Sequence, residues 1–276
     1  MLEIPETLTL AKQLNESVGG KRINRVVANH SPHKFAFYHG DPAEYSALLT
    51  GKVIQECTGL GAMVEIAAEN CRIVLGEGAN LRYFSDAGEA PAKHQLLLVL
   101  EDGSALVCTI QMYGPVVAFE DGQYQNEYYL VAKEKPQPLT DAFHRGYFAA
   151  LRESGTEKLS AKAFLATKQR IPGLCNGVLQ DILFRARIHP KRKMGTVSGE
   201  EYDGMFNSIQ ETLSEMTRQN GRDTERDLYG NPGGYRTLLS RNTAGTPCPV
   251  CGATIQKAAY LGGSVYWCPD CQPLVE

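Results

Sequence analysis

Between Glu6 and Val18 the apolar residues Leu10, Leu14 and Val18 fall four apart, separated by polar ones, and Gly19-Gly20 follows directly. That spacing predicts a short amphipathic helix over 6–18, stopped by the glycine pair. From Lys21 to about Ala132 the rhythm shortens. Runs such as RINRVVAN, KFAFYHG, KVIQECTG, AMVEIAA, CRIVLGE, NLRYFSD, QLLLVLED, ALVCTIQMYG, VVAFEDG and QNEYYLVA are bounded by Gly, Asp-Gly and Gly-Pro turns. Short β-rich runs at roughly ten-residue spacing predict an antiparallel sandwich or barrel. Residues 133–140 (KEKPQPLT) read as a polar, proline-containing linker. Helical periodicity returns over 141–154, 160–169, 174–187 and 199–220, the last with Met205, Ile209, Leu213 and Met216 on one face. Residues 221–245 read as loop with a short strand. The fold class is α+β, divided as 1–132, 133–140, 141–245 and 246–276.

The last of these segments carries the sharpest chemistry. Cys248-Pro-Val-Cys251 and Cys268-Pro-Asp-Cys271 form C-x2-C, sixteen residues, then C-x2-C. Each pair lets two thiolates from one tight turn reach the same metal, and the residues between suffice for a β-hairpin that joins the pairs. Four sulfurs so spaced read as a closed, tetrahedral, structural zinc site. Two disulfides or free thiols are the other readings. The paired spacing and an N-terminus without a basic, cleavable leader favour metal. So short a segment buries too little apolar surface to fold unaided, and Zn2+ would supply most of its folding free energy.

Composition adds little until charge is divided along the chain. Net charge is −3, but residues 1–150 hold 12 Lys+Arg against 18 Asp+Glu, whereas 151–276 hold 16 against 13. Between Lys158 and Lys193 nine basic residues face a single acid, Asp181. A basic block with aromatic and apolar residues interleaved is the footprint of a polyanion binder, although a charge run is more often a solvated face. No apolar run approaches membrane-spanning length, so the expectation is a cytoplasmic protein with no membrane partner. Cys57, Cys71, Cys108 and Cys175 sit in apolar stretches as expected of buried thiols. In His30-Ser-Pro-His33-Lys34-Phe35-Ala-Phe37-Tyr38, the expectation is that Phe35 and Phe37 alternate into the core while the polar residues face water. The other reading has this run lining a cleft, with Lys34 as a spare amine.

Ile171–Lys193, IPGLCNGVLQDILFRARIHPKRK, resembles the helix–two-turn–helix segment of the formamidopyrimidine-DNA glycosylase / endonuclease VIII family. The order N-terminal helix, β-sandwich, helical module and zinc ribbon ending CPDCQ is similar too, as are Glu3, Pro5-Glu6, Leu75-Gly76, Leu81-Arg82, 138-PLTD-141 and 230-GNPGGY-235. The resemblance spans essentially the whole chain. It implies a monomeric DNA-repair protein acting on damaged or abasic duplex DNA. In it Asn176 would hold a phosphate at a helix start, the bland alternative being a helix cap. Lys162, Lys168, Arg170, Arg185, Arg187 and Lys191 to Lys193 would add phosphate contacts. It implies an N-terminal amine as nucleophile, at Met1 or Leu2, with Glu3 as general acid/base. Glu6 would cap the first helix or meet its dipole.

The departures from the family fall on that chemistry. Leu2 stands where most members carry Pro, and so bulky a residue leaves Met1 in place. Ala62 stands for the active-site Lys, Gly263 for a phosphate-binding Arg, and Glu77 for the apolar residue that fills the void left by a flipped base. Gln111-Met-Tyr-Gly-Pro115 stands where the family carries a companion Pro-Arg-Arg-Phe loop. These count against glycosylase or lyase chemistry through the N-terminus. They leave two other readings, a non-enzymatic binder of DNA or RNA and a hydrolase that uses Glu3.

Overall fold

In a computed structural model, which describes residues 1–275, the chain divides into two compact units. The first comprises Met1–Lys133 and Asn220–Gly234, and the second comprises Glu134–Gln219 and the chain from Tyr235 onward. No helix among the described residues is long and apolar enough to cross a membrane.

The first unit starts with helix α1, Ile4–Val18. It is nucleated by a capping box in which Glu3 is the N-cap and Glu6 the third helical residue, with Pro5 in the first turn, where its missing N–H costs nothing. Leu10, Leu14 and Val18 are fully buried, as the four-residue spacing predicts. The helix packs on a pair of sheets. One has the strand order β1 (Ile23–Ala28), β7 (Leu96–Leu100), β8 (Ala105–Ile110), β6 (Ala79–Phe84). The other runs β2 (Ala36–Phe37), β9 (Gly114–Glu120), β5 (Cys71–Gly76), β4 (Met63–Ala68), β3 (Ile54–Leu60). All pairings are antiparallel except β2 with β9. Ile23, Ile54, Ile66, Ile73, Leu98 and Leu106 close the core between them. Each such side chain contributes roughly 1.5–3 kcal/mol by leaving water.

Three expectations change. QNEYYLVA is not a strand, since Glu127–Glu134 is helix α3. Its Tyr129 and Ala132, one turn apart, pack on Met63, Val74 and Phe119, so a face set by three-residue spacing reads as alternation in so short a run. KFAFYHG contributes only the two residues of β2, followed by the short helix α2 (Tyr45–Leu49), and Phe35 and Phe37 do not enter the core; they are 47% and 51% exposed. Residues 220–234, grouped above with the helical module, pack instead in the sandwich unit, with Leu228 in its core and its N–H held by the Gln13 side chain at 2.9 Å.

The second unit holds helices α4 (Arg145–Ala150), α5 (Ala161–Ala166), α6 (Val178–Arg185) and α7 (Gly199–Arg218), then the hairpin β10 (Gln256–Tyr260) and β11 (Gly263–Trp267). The first three are shorter than their periodicity suggests. Helix α5, for example, gives way to Lys168 and Gln169 at positive φ (56° and 43°), a conformation no helix interior accepts. Helix α7 carries a Ser198/Glu201 capping box, and Met205, Ile209, Leu213 and Met216 are all buried. Phe143, Phe148, Phe164, Tyr202 and Phe206 form an aromatic core, with Phe148 stacked on Tyr202 at 4.5 Å between ring centroids.

His189 is buried beneath Trp267, and the Lys191 N–H donates to its Nδ1 at 3.0 Å, which leaves the ring proton on Nε2. Burial, helped by the Lys191 charge, pushes its pKa down to about 4. The unfolded chain therefore takes up this proton first, and the stabilisation from neutral His189 is present above about pH 6.5 and lost as pH falls toward 4. Stability is expected to drop by on the order of 2 kcal/mol across that window. Urea titrations at pH 7 and pH 4.5 check this, with His189→Gln expected to flatten the slope.

Candidate N-terminal centre, zinc site and nucleic-acid face

The sequence-selected N-terminal residues meet at a buried cation that sequence reading did not select, Arg222. Its Nε donates to Glu6 Oε1 at 3.0 Å and one terminal nitrogen donates to Glu6 Oε2 at 2.7 Å, a bidentate pair. The other terminal nitrogen reaches Glu3 Oε1 at 3.4 Å, and the backbone N–H of Arg222 also donates to Glu6 Oε1, at 3.1 Å. All three side chains are at most 3% exposed. Two carboxylates around one guanidinium hold its pKa well above the ordinary arginine value against the opposing effect of burial. The only sequence signal was composition, an arginine after Asn220-Gly221 with nothing to say what it faces.

Leu2 is buried in the sandwich core and its N–H donates to the Glu77 carbonyl at 2.7 Å. Glu3 and Glu6 are sealed behind it. Met1 projects outward, and its α-ammonium pairs with Glu225 at 2.5 Å. Beside it opens a cavity of about 190 Å³, lined by Met1, Asn80, Arg82, Gln111, Glu225 and Arg226 among others. Ala62 is buried, with its carbonyl accepting from the Glu77 N–H at 3.0 Å. Glu77 sits at φ 49° with its carboxyl hydrogen-bonded by Tyr128 and Tyr113, and burial raises its pKa. Lys34 is not in this centre; it is exposed, its Nζ 5.3 Å from the Phe35 ring centroid.

In the second unit Cys248, Cys251, Cys268 and Cys271 bring their sulfurs within 4.8 Å of one another. The pairs Cys248–Cys271 and Cys251–Cys268 lie 3.8 and 3.3 Å apart, too far for a disulfide and close to the edge of a tetrahedron with zinc–sulfur bonds of about 2.3 Å. Backbone N–H groups of Val250 and Cys271 point at Cys248 and Cys268 sulfurs at 3.4 Å, a donor set suited to thiolates. Four sulfurs leave no open position, so this is a structural zinc site.

The ribbon hairpin is fastened to α6. Asn176 does not cap that helix, because Gly177 occupies the N-cap. Its side-chain amide donates to the Ser264 carbonyl at 3.1 Å, while Gln180 accepts from the Tyr266 N–H at 3.0 Å. Lys162 is buried and donates to the Tyr260 carbonyl at 2.7 Å, and burial lowers its pKa. A Cβ on Gly263 would lie 3.4 Å from both Asn176 and Lys162 Nζ. Of the remaining basic residues, Arg185 pairs with Glu215 at 2.5 Å and Arg192 with Glu201, so neither charge is spare. Arg170 lies over the Phe164 ring and donates to the Thr167 carbonyl. Lys168 and Arg187 are exposed, both at positive φ.

A two-sheet sandwich headed by a helix, a helical module and a four-cysteine ribbon define a zinc-ribbon α+β protein. Residues 245–274 match the family model described as the zinc finger found in FPG and IleRS. The whole chain is 32% identical to the formamidopyrimidine-DNA glycosylase of Symbiobacterium thermophilum, over 100% of this chain and 90% of that one. It overlays the crystal structure of the MutM (Fpg) protein of Thermus thermophilus with TM-score 0.82, at 26% identity, over 99% of this chain and 100% of the other. The Lactococcus lactis Fpg, crystallised with DNA containing an abasic site, shares the fold with TM-score 0.83 at 22% identity, over 98% and 99% of the two chains. The chain belongs to the formamidopyrimidine-DNA glycosylase family.

Proposed function

We propose that this protein binds damaged or abasic duplex DNA and serves base excision repair. The observation that supports this most is similarity along its full length to proteins named formamidopyrimidine-DNA glycosylase. The N-terminal cavity suits such a ligand. Arg82 and Arg226 can meet a phosphate, and Asn80 and Gln111 can meet sugar hydroxyls. A ring-opened abasic sugar presents an aldehyde at C1′. Once Met1 passes its extra proton to Glu225, its amine can attack that carbon, and loss of water then gives an imine. Asn176, Lys168 and Arg187 would position the backbone in the second unit, with Lys162 and Arg170 bracing that surface.

A second reading, a binder without chemistry, is favoured by one specific observation. Glu3 is buried and tied to Arg222, so it is poorly placed to exchange protons with a substrate. Borohydride trapping on an abasic-site duplex, run beside a binding titration, separates the two. An adduct mapped to Met1 supports lyase chemistry, and tight binding without an adduct supports the binder. Failure to bind any DNA, with binding to structured RNA instead, overturns both. Asn176→Ala is expected to weaken duplex binding about tenfold whatever the sequence, and Arg187→Gln to lower the slope of log affinity against log salt by about one.

A further inference from the structure

Four of the large apolar side chains most exposed to solvent lie together on the sandwich unit. They are Phe35 (47%), Phe37 (51%), Met112 (56%) and Tyr113 (40%). The backbone brings them together. β2 pairs in parallel with the start of β9, Ala36 opposite Gly114 and Phe37 opposite Pro115, and the Gly114 N–H donates to the Phe35 carbonyl at 3.0 Å. The 112–113 loop is pinned from behind. The Gly78 N–H donates to the Tyr113 carbonyl at 3.0 Å, and the Tyr113 hydroxyl engages Glu77. A Cβ on Gly78 would come within 2.5 Å of that same carbonyl, so the close approach requires glycine. These rings are therefore held outward by a fixed frame, at a cost in exposed apolar area that a folded chain normally avoids.

The segment that carries the two phenylalanines is basic. Between His30 and Gly40 there is no acidic residue, but there are Lys34 and three histidines. Lys34 Nζ lies 5.3 Å from the Phe35 ring centroid, and His33 meets the same ring edge-on at 6.3 Å. Flat rings beside a cation are what an unpaired nucleobase and its phosphate need, and the carboxyl in contact with them, that of Glu77, is held by the Tyr113 and Tyr128 hydroxyls. The base stacks while the phosphate meets the ammonium. Met112, next in the chain to Tyr113, also lines the cavity beside the Met1 amine, so the patch reaches the site proposed above through that side chain.

We infer that Phe35, Phe37 and Tyr113, with Lys34, form a stacking shelf for unpaired bases of single-stranded DNA next to the N-terminal cavity. The preferred ligand is then a duplex interrupted by a short single-stranded gap rather than a continuous one. This rests on the DNA-binding reading, and the test separates the two. Fluorescence anisotropy would compare a continuous abasic duplex with one carrying a gap of a few nucleotides, using the full-length zinc-loaded protein. The gap would contain 2-aminopurine, whose emission is quenched by stacking.

The parent is expected to bind the gapped duplex more tightly and quench the probe. Phe35→Ser/Phe37→Ser, altering only exposed side chains, should lose affinity for the gapped duplex by about tenfold per stacked base. It should change affinity for the continuous duplex less than about twofold. Lys34→Glu should weaken gapped binding and reduce its salt slope by about one. Equal affinity of parent and double variant for the gapped duplex, with no quenching, overturns the shelf while leaving DNA binding intact. Absence of binding to either duplex by the parent overturns the DNA reading itself. A parent dimer that the double variant abolishes in sedimentation makes the rings a self-association surface and also overturns the shelf.

Discussion

Stripping the metal from the ribbon is expected to unfold residues from about Thr246 onward and to take the hairpin's contacts with α6 with it. The apolar contribution of the ribbon is small. Ile255, Val265 and Tyr266 are its main buried side chains, and Ile255 and Tyr266 pack with Phe184, Leu239, Cys248 and Cys268. Against that, structural zinc in fingers of this size contributes on the order of 10 kcal/mol of apparent binding free energy at neutral pH. The end of the ribbon is keyed into the helical module by Gln272, which is fully buried. It accepts from the Cys268 N–H at 3.1 Å and donates to the Ile188 carbonyl at 2.9 Å. Loss of the metal would thus release Ser264 from Asn176 and Tyr260 from Lys162. The expected results are one zinc per chain by elemental analysis, and proteolysis within the hairpin after chelation. Cys268→Ala should behave like the stripped protein. A chelated chain with intact hairpin protection and unchanged melting would show that packing alone holds the ribbon.

The second large effect is expected at Arg222. Removing the guanidinium with Arg222→Met leaves Glu3 and Glu6 buried without a counter-charge. Breaking such a pair costs about 3–5 kcal/mol, whereas replacing all of its members by apolar residues is often close to neutral. Arg222→Met should therefore lower the melting temperature by roughly 10 °C. Combining it with Glu3→Leu and Glu6→Leu should recover most of that loss, less about 1 kcal/mol for the helix cap. Thermal melts and urea titrations of the single and triple variants test this. Equal stability of Arg222→Met and the parent would mean that the buried triad adds nothing. Because Met1 and residues 220–225 share this network, the single variant should also loosen the amine's pairing with Glu225, read as faster exchange of the backbone amides near the N-terminus.

Local patterns predicted what depends on neighbours in the chain. The four-residue spacing of Leu10, Leu14 and Val18 gave a helix because one face repeats every turn, and the C-x2-C pairs gave a zinc site because each pair is complete within a single turn. Short β-rich runs between turns at roughly ten-residue spacing predicted an antiparallel sandwich or barrel by the same logic, and strands such as β5 and β8, buried along most of their length, form the two sheets. Short segments failed where two periods coincide. Tyr129 and Ala132 fit a strand as well as a helix, and only the sheet face waiting to be covered decided for α3. Phe35 and Phe37 read as core because alternating phenylalanines usually are. Whether they would find a partner depended on β9, nearly eighty residues on, which pairs with their backbone and leaves the rings uncovered. Likewise, Glu3 and Glu6 stand out as candidate carboxylates in the sequence, but their counter-charge lies 216 residues after Glu6. No spacing rule links residues so distant, because the free energy that pairs them arises only when folding removes all three from water. The sequence by itself therefore determined most of the elements, the metal and the family likeness. The tertiary structure alone decided which charges are spent within the protein and which side chains remain for a ligand.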